Sequence, residues 1–375
     1  MNYSFELGPI RPPSEAHSIL LRLTRNCPWN KCAFCPTYKG LKFALRTVEE
    51  VKSDIDSICF ILERIREKVQ AAGALTQQML HDITIENNIP AGNVDQVAFW
   101  IHYGMKSLFL QDADSLIMKT EEVVEILNYI RGKIPTISRV TSYARAHTIS
   151  RKSPEELKAL KEAGLNRIHI GMESGCDEVL EIIKKGVTAE RIIDGGRKAM
   201  AAGFEVSLYF MPGSGGQEHS EANALESARV INAVNPTFVR IRSTVPMPGT
   251  PLHDLMLGGQ WTPVSELGKV REIRLLIENL SGINTTIVSD HIMNLLEEVE
   301  GTLPGDREKM LKTIDRFLAM DSASQDSFIV GRRTGRFRVL SDYRSSSEIE
   351  ALKSRLIEQF GGLDAAMLNV LTRYI

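Results

Sequence analysis

Long hydrophobic runs are missing from this sequence: no stretch approaches the ~20 consecutive apolar residues that a membrane-spanning helix requires. Missing too is a basic segment followed by a short apolar run and a small-residue cleavage site at the start, where Arg11-Pro12-Pro13-Ser14 reads as an extended arm. A soluble, cytoplasmic protein is the expectation. Charge of one sign is also scarce, since 45 Lys and Arg nearly balance 47 Asp and Glu for a net charge of −2. That balance exerts no overall pull toward nucleic acid or a membrane surface, so neither is an expected partner. Cysteine is sparse as well, five in 375 residues. An odd count without a secretion signal argues for metal or redox chemistry rather than a disulfide framework. With 43% hydrophobic and 25% charged residues, the chain buries a large core and is neither disordered nor fibrous.

What cysteine there is lies close together. Three of the five fall within nine residues, in Cys27-Pro28-Trp29-Asn30-Lys31-Cys32-Ala33-Phe34-Cys35, directly after the apolar Ile19-Leu20-Leu21-Arg22-Leu23. A short loop carrying three thiolates can wrap one face of a [4Fe-4S] cube, because each iron takes one sulfur ligand. One iron then keeps an open position where a small molecule can bind and receive an electron. Other readings stay open at this point. Zinc held by the three cysteines with His17 or His253 would make a structural module, although such sites more often pair two Cys-x-x-Cys knuckles and the sequence has no second one. A ferredoxin-like carrier needs four ligands and far fewer residues. Cys59 and Cys176, over a hundred residues apart, cannot hold a second cluster unaided, so a single cluster is expected. Cys176 is either a small buried residue or a thiol at the site.

Short β-rich apolar runs alternate with segments of helical period, the pattern of a parallel sheet wrapped by helices. The spacing predicts six strands, at Ser18 to Leu23, Ser107 to Gln111, Ile137 to Tyr143, Arg167 to Met172, Glu205 to Met211 and Thr237 to Ser243. Helices are predicted at Val48 to Val69, Glu121 to Ile130, Pro154 to Ala163, Asp177 to Lys185, Ala189 to Ala202 and Ser220 to Ala233. Ser153-Pro154-Glu155-Glu156 supplies a cap, a proline at the first helical position and acids at the positive end of the dipole. Gly164 and Gly203 are natural helix ends leading into the next strand. About 80 residues separate the first two strands, so an extra helical pair is expected near Leu75 to Glu86 and Val94 to Tyr103. It is either a lid or partner surface beside the cysteine loop, or a decoration.

After Pro251 the pattern turns mostly helical, with helices expected over Glu266 to Leu280, Asp290 to Glu298 and Arg307 to Met320 and a short hairpin over Phe328 to Leu340. The one basic concentration, Arg332, Arg333, Arg336 and Arg338, reads as a solvated turn and strand or as a clamp for an anionic group.

The cysteine loop in its βα setting resembles the radical S-adenosylmethionine (SAM) superfamily, with CxxxxCxxC in place of the usual CxxxCxxC. Phe34, just before Cys35, matches an aromatic common there that packs by the adenine of SAM. Gly171-Met172-Glu173-Ser174-Gly175, followed by Asp177-Glu178-Val179-Leu180 and Lys184-Lys185-Gly186, is similar to the fourth strand and next helix of the subgroup with oxygen-independent coproporphyrinogen dehydrogenase, the methylthiotransferases and Elp3. The likeness covers about Ser18 to Pro251. It implies an α/β fold, a partial (βα)6 TIM-like barrel with a mostly helical C-terminal extension: an arm over 1–17, a core over 18–250 with a helical insertion at about 71–105, and the extension over 251–375.

The resemblance further implies one [4Fe-4S] cluster on Cys27, Cys32 and Cys35 and SAM chelated by its free iron. Reductive cleavage of SAM would give a 5′-deoxyadenosyl radical that abstracts hydrogen from a small-molecule substrate, with flavodoxin or ferredoxin as reductant. Modification of RNA or a protein side chain is the second enzyme reading. Barrel sites sit at the C-terminal strand ends, which nominates SAM contacts there: Phe34; Asp112, where relatives often have a Gly-rich turn; Ser142 and Arg145 after the third strand; Glu173 after the fourth; and Lys185. Asp112 or Asp114 could instead cap the helix near Thr120. The loop Pro212-Gly213-Ser214-Gly215-Gly216 lacks the lysine of a P-loop and should line the site, and a buried Arg240 or Arg242 would want an anion.

Overall fold

The computed structural model describes residues 3–373. The chain divides into two compact units. The first runs to Pro28 and takes in Gly40–His169 and Ala201–Glu205; the second takes in Trp29–Lys39, Ile170–Met200 and the chain from Val206 onward. Both are α/β, with mostly parallel pairing and many helices. No helix among the described residues is long and apolar enough to cross a membrane.

In the first unit β1 (Ile19–Arg22) is followed by the short antiparallel ribbon of β2 (Thr24–Arg25) and β3 (Ala44–Leu45). Parallel pairing joins β1 to β4 (Ser107–Gln111), and β4 to β5 (Arg139–Ala144), with Leu21 opposite Leu110 and Leu110 opposite Ser142. Ile19, Leu20 and Leu21 are consecutive and all buried, as expected of a parallel strand covered on both faces. The cover comes from α1 (Val48–Ala72), opened by a Thr47–Glu50 capping box and closed by left-handed Gly73. The expected helical pair is present as α2 (Gln77–Asn87) and α3 (Ala91–His102). Trp100 of α3 is fully buried against Phe5, so part of this insertion is core.

Next come α4 (Thr120–Lys133), α5 (Ala146–Arg151) and α6 (Pro154–Glu162). Ser153 and Glu156 form the box that caps α6, with Pro154 in its first turn. Gly164, at φ 104°, turns the chain into β6 (Leu165–Glu173). Asp114 does not cap α4, whose preceding residue Lys119 makes no side-chain cap bond. Its buried carboxylate instead accepts the Arg145 N–H at 3.1 Å and the Thr148 hydroxyl at 2.5 Å. The short α5 leaves donors needing an acceptor at its start, and Asp114 supplies it.

The second unit continues from Ile170 of β6 into α7 (Asp177–Ile182), α8 (Ala189–Ala201), β7 (Glu205–Phe210), α9 (Ser220–Val234) and β8 (Phe238–Ile241). Then follow α10 (Pro251–Leu257), α11 (Glu266–Asn279), β9 (Thr286–Val288), β10 (Gly301–Thr302), α12 (Arg307–Leu318), α13 (Ser322–Arg333), α14 (Ser347–Phe360) and α15 (Leu363–Leu371). Strands β7, β8 and β9 pair in parallel, and β10 runs antiparallel to β9. Three-residue β9 is too short to show a period in sequence.

Two expectations for this region fail. Asp290 to Glu298 is not helical, because its short polar side chains bond elsewhere. Asn294 accepts from the Ser243 N–H and hydroxyl and donates to Ile241 O at 2.8 Å, and Asp290 pairs with Arg240 at 3.2 Å. Phe328 to Leu340 is not a hairpin. Asp321 caps α13 through Ser324 N–H, and Phe328 packs among Phe317, Phe337 and Tyr343.

The arginine cluster divides: Arg336 and Arg338 are exposed in the turn region after α13, as a solvated turn requires, whereas Arg332 and Arg333 are buried at the end of that helix and not in a strand. Arg333 is 2% exposed and bonds Glu266 together with the carbonyls of Ile292 and Met293. Arg332 and Arg338 share Glu297, and Arg336 pairs with Glu348 at 3.0 Å. Burial would raise the Glu266 carboxyl, but Arg333 and Lys269 outweigh it and hold it below the usual range.

Candidate functional site

The strand ends of the first unit bring polar groups together around the approach to Cys27. Arg22, last in β1, donates from Nε to the fully buried Asp112 at 2.6 Å and from Nη2 to Asn26 Oδ1 at 3.3 Å. The Asn26 amide donates at its other end to Lys42 O at 2.7 Å, and its backbone is left-handed at φ 70°. Asparagine tolerates that region better than most residues, and here it sets the direction in which Cys27 leaves. Gln111, last in β4, bonds the N–H and carbonyl of Gly8, so the N-terminal arm lies over this strand end. A Cβ on Gly8 would sit 2.8 Å from Asp112 Oδ1.

Of the expected SAM contacts, Asp112, Ser142 and Arg145 belong to this unit. Asp112 is already the partner of Arg22, so a ligand ammonium there would compete with a guanidinium. Ser142 donates its hydroxyl to Tyr143 O at 2.9 Å, and Arg145 begins α5.

The second unit holds the rest of the cysteine loop. Trp29 donates its indole N–H to Lys184 O at 2.8 Å. Gly186, at φ 68°, leaves room for that ring, since a Cβ would lie 2.2 Å from it. Ala33 donates to Ile183 O at 2.7 Å and accepts from Leu252 N–H at 2.9 Å, which fixes the loop between the end of α7 and the start of α10. Ala33, Leu252 and Trp261 form a small apolar cluster against which Phe34 packs. The Asn30 amide donates to Tyr38 O at 2.5 Å, and Lys39 Nζ reaches the carbonyls of Asn30 and Cys32.

Glu173 and Lys185, expected separately as SAM contacts, are brought together as an ion pair at 2.7 Å. The glycines around them explain the motif. A Cβ on Gly171 would meet Glu173 Oε1 at 2.4 Å and Lys185 Nζ at 2.7 Å. On Gly175 it would meet Glu226 O at 2.3 Å, because that backbone packs directly on α9.

Sequence reasoning missed Glu272. This buried α11 carboxylate accepts from Gly213 N–H at 3.0 Å, the Ser220 hydroxyl at 2.7 Å and the Asn223 amide at 2.5 Å, tying down the loop after β7. Burial pushes it up to about 7 against those hydrogen bonds. Only a charged residue in an otherwise apolar helix face hinted at it. Arg240 does find an anion, but it is Asp290. Cys176 is buried, its thiol pushed up by burial and by Glu178. A cavity of about 250 Å³ lies between the start of α11 and α15, lined by Pro246, Val264, Lys269, Asp364 and Met367.

None of the three loop cysteines is in a disulfide, and all three are half-buried. Among the described residues no three His, Cys, Asp or Glu converge on a single metal ion; a cube makes a different demand, one thiolate per iron. Three half-buried cysteines on a loop tied at several points supply that type of donor.

Residues 85–228 match the family model of the Radical SAM superfamily, a match that begins beyond the cysteine loop. An uncharacterized methyltransferase of Pyrococcus horikoshii is 25% identical over 178 residues, 46% of this chain and 37% of that one. A tRNA uridine(34) acetyltransferase of Methanocaldococcus jannaschii is 24% identical over 253 residues, 64% of this chain and 44% of that one. The chain thus spans less than half the length of these relatives. Among solved structures, Methanocaldococcus infernus Elp3 aligns at a TM-score of 0.44 and 17% identity, over 60% of this chain and 57% of that one.

Proposed function

We propose that this protein is a radical SAM enzyme in which Cys27, Cys32 and Cys35 hold one [4Fe-4S] cluster and a partial (βα)6 barrel presents SAM to a small-molecule substrate. The observation that carries this reading is the cysteine loop itself, three half-buried cysteines in no disulfide on a backbone laced through Trp29, Ala33 and Lys39. When bound, the cluster supplies the electron that cleaves the SAM sulfonium to a 5′-deoxyadenosyl radical, and flavodoxin or ferredoxin supplies that electron in turn. The chain's residues position the reactants. Phe34 offers an aromatic face beside the loop, Ser142 a hydroxyl and Arg145 a guanidinium for polar groups of SAM. Glu173 and Lys185, paired with each other, present one acceptor and one cation at the end of β6, and would offer them to the amino and carboxylate groups of SAM.

The test is anaerobic reconstitution of the full chain with iron and sulfide, then dithionite and SAM. Brown protein, a spin-resonance signal that shifts on adding SAM and 5′-deoxyadenosine as product are expected. Colourless protein, or a cube indifferent to SAM, would falsify the reading. RNA modification is the second reading, favoured by the tRNA acetyltransferase match over 64% of this chain. Bulk tRNA that raises 5′-deoxyadenosine formation above a metabolite extract would select it.

A further inference from the structure

Lys39 stands four residues beyond Cys35, outside the cysteine motif and outside the expected SAM contacts. Its ammonium donates to Cys32 O at 2.9 Å and to Asn30 O at 3.1 Å. Both acceptors are main-chain carbonyls of the cysteine loop, and no carboxylate among the described residues pairs with it. The side chain is half-buried, so the charge is neither freely solvated nor neutralised. Its neighbours differ in just this respect. Lys185 is neutralised by Glu173 at 2.7 Å, and Lys31 is exposed, its ammonium 5.0 Å from the Trp29 ring. The segment bearing Lys39 is itself rigid: Tyr38 is 1% exposed and its carbonyl takes the Asn30 amide, while Lys39 N–H donates to Pro36 O at 3.4 Å.

We propose that Lys39 sets the reduction potential of the cluster held by the adjacent cysteines, as a fixed, uncompensated cation on the loop that carries them. The inference rests on the proposed radical SAM reading. One-electron reduction of a thiolate-ligated cube, by a flavodoxin, a ferredoxin or dithionite, adds one negative charge and moves no proton. Net charge and hydrogen bonding around the sulfurs set such potentials. Lys39 favours the reduced form by Coulomb attraction in a half-buried, partly screened setting. Its two carbonyl bonds also hold the Asn30–Cys32 turn, so a structural role has to be separated from an electrostatic one.

Spectroelectrochemical titration of the reconstituted full chain makes that separation. Lys39→Gln keeps a donor and loses the charge; Lys39→Arg keeps the charge. The Gln variant is expected to titrate at a more negative potential, its reduced-to-oxidised ratio at fixed potential falling about tenfold, which is about 59 mV for a one-electron couple. The Arg variant should titrate with the wild type. A wild-type midpoint in Lys39→Gln overturns the assignment. So does iron missing from both Lys39→Gln and a second neutral variant, Lys39→Met, when both keep the wild-type circular dichroism, since Lys39 would then be a structural tie alone. Failure of the wild type to form a cube strikes the function proposal instead.

Discussion

At the scale of single residues, burial and partner decide the chemistry. Replacing Cys27, Cys32 or Cys35 singly by Ser should strip most iron from the reconstituted protein, whereas Cys59→Ser and Cys176→Ser should retain it; iron and sulfide analysis decides. Glu272 gives a pH signature. Burial pushes its folded carboxyl up to about 7, against about 4.5 for an ordinary glutamate, so between those pH values the folded state holds a proton that the unfolded chain has released. Stability therefore falls as pH rises through that window and levels off above about 7, by up to the order of 3 kcal/mol. Glu272→Gln should flatten this part of the melting-temperature profile between pH 5 and pH 8. A variant with the wild-type slope would show that Glu272 titrates normally. Asp114, pushed up to about 6 by burial, adds a slope of the same sign that Asp114→Asn should remove.

Among elements, the tightest joints are those where a glycine or an ion pair has no substitute. Gly175 sets β6 against α9 so closely that a methyl group would overlap Glu226 O. Gly175→Ala should cost about 1–3 kcal/mol or more, read as a drop in denaturation midpoint with unchanged slope. The joint between α11 and α13 is the Glu266–Arg333 pair. Arg333→Met leaves an acid inside a buried setting and should cost about 3–5 kcal/mol, while the double variant with Glu266→Leu should recover much of that. Equal stability of single and double variants would mean the pair is not coupled. Element positions were legible where a period and a punctuation mark coincided, as at Ser107–Gln111 and Pro154–Glu162. They were illegible at Asp290–Glu298, where helical spacing is present but Asn294 bonds the end of β8.

For the molecule as a whole, the C-terminal helices are structural parts of the second unit. Leu371 and Leu368 of α15 pack with Val245 and Met247, which follow β8, and with Met293, which follows β9. Deleting the chain from Gly361 onward should expose this cluster, lower the melting temperature and raise binding of a hydrophobic dye; a truncated chain as stable as the full one would show that α15 is dispensable. The candidate site was legible in part. Three thiols in nine residues announce their chemistry by spacing alone, and Glu173 and Lys185 were both named in sequence. Their pairing was not, because the two stand twelve positions apart with α7 between them.

The order of amino acids by itself determined the α/β alternation, the helix caps at Thr47 and Ser153 and the clustering of three cysteines, because these depend on neighbours within a few residues along the chain. Only the tertiary structure decided that Arg333 faces Glu266, that Asp112 is bound by Arg22 and that Lys39 rests on the Cys32 carbonyl. Charges in sequence carry sign but no address; burial and the partners that folding brings within hydrogen-bonding reach fix what each one does.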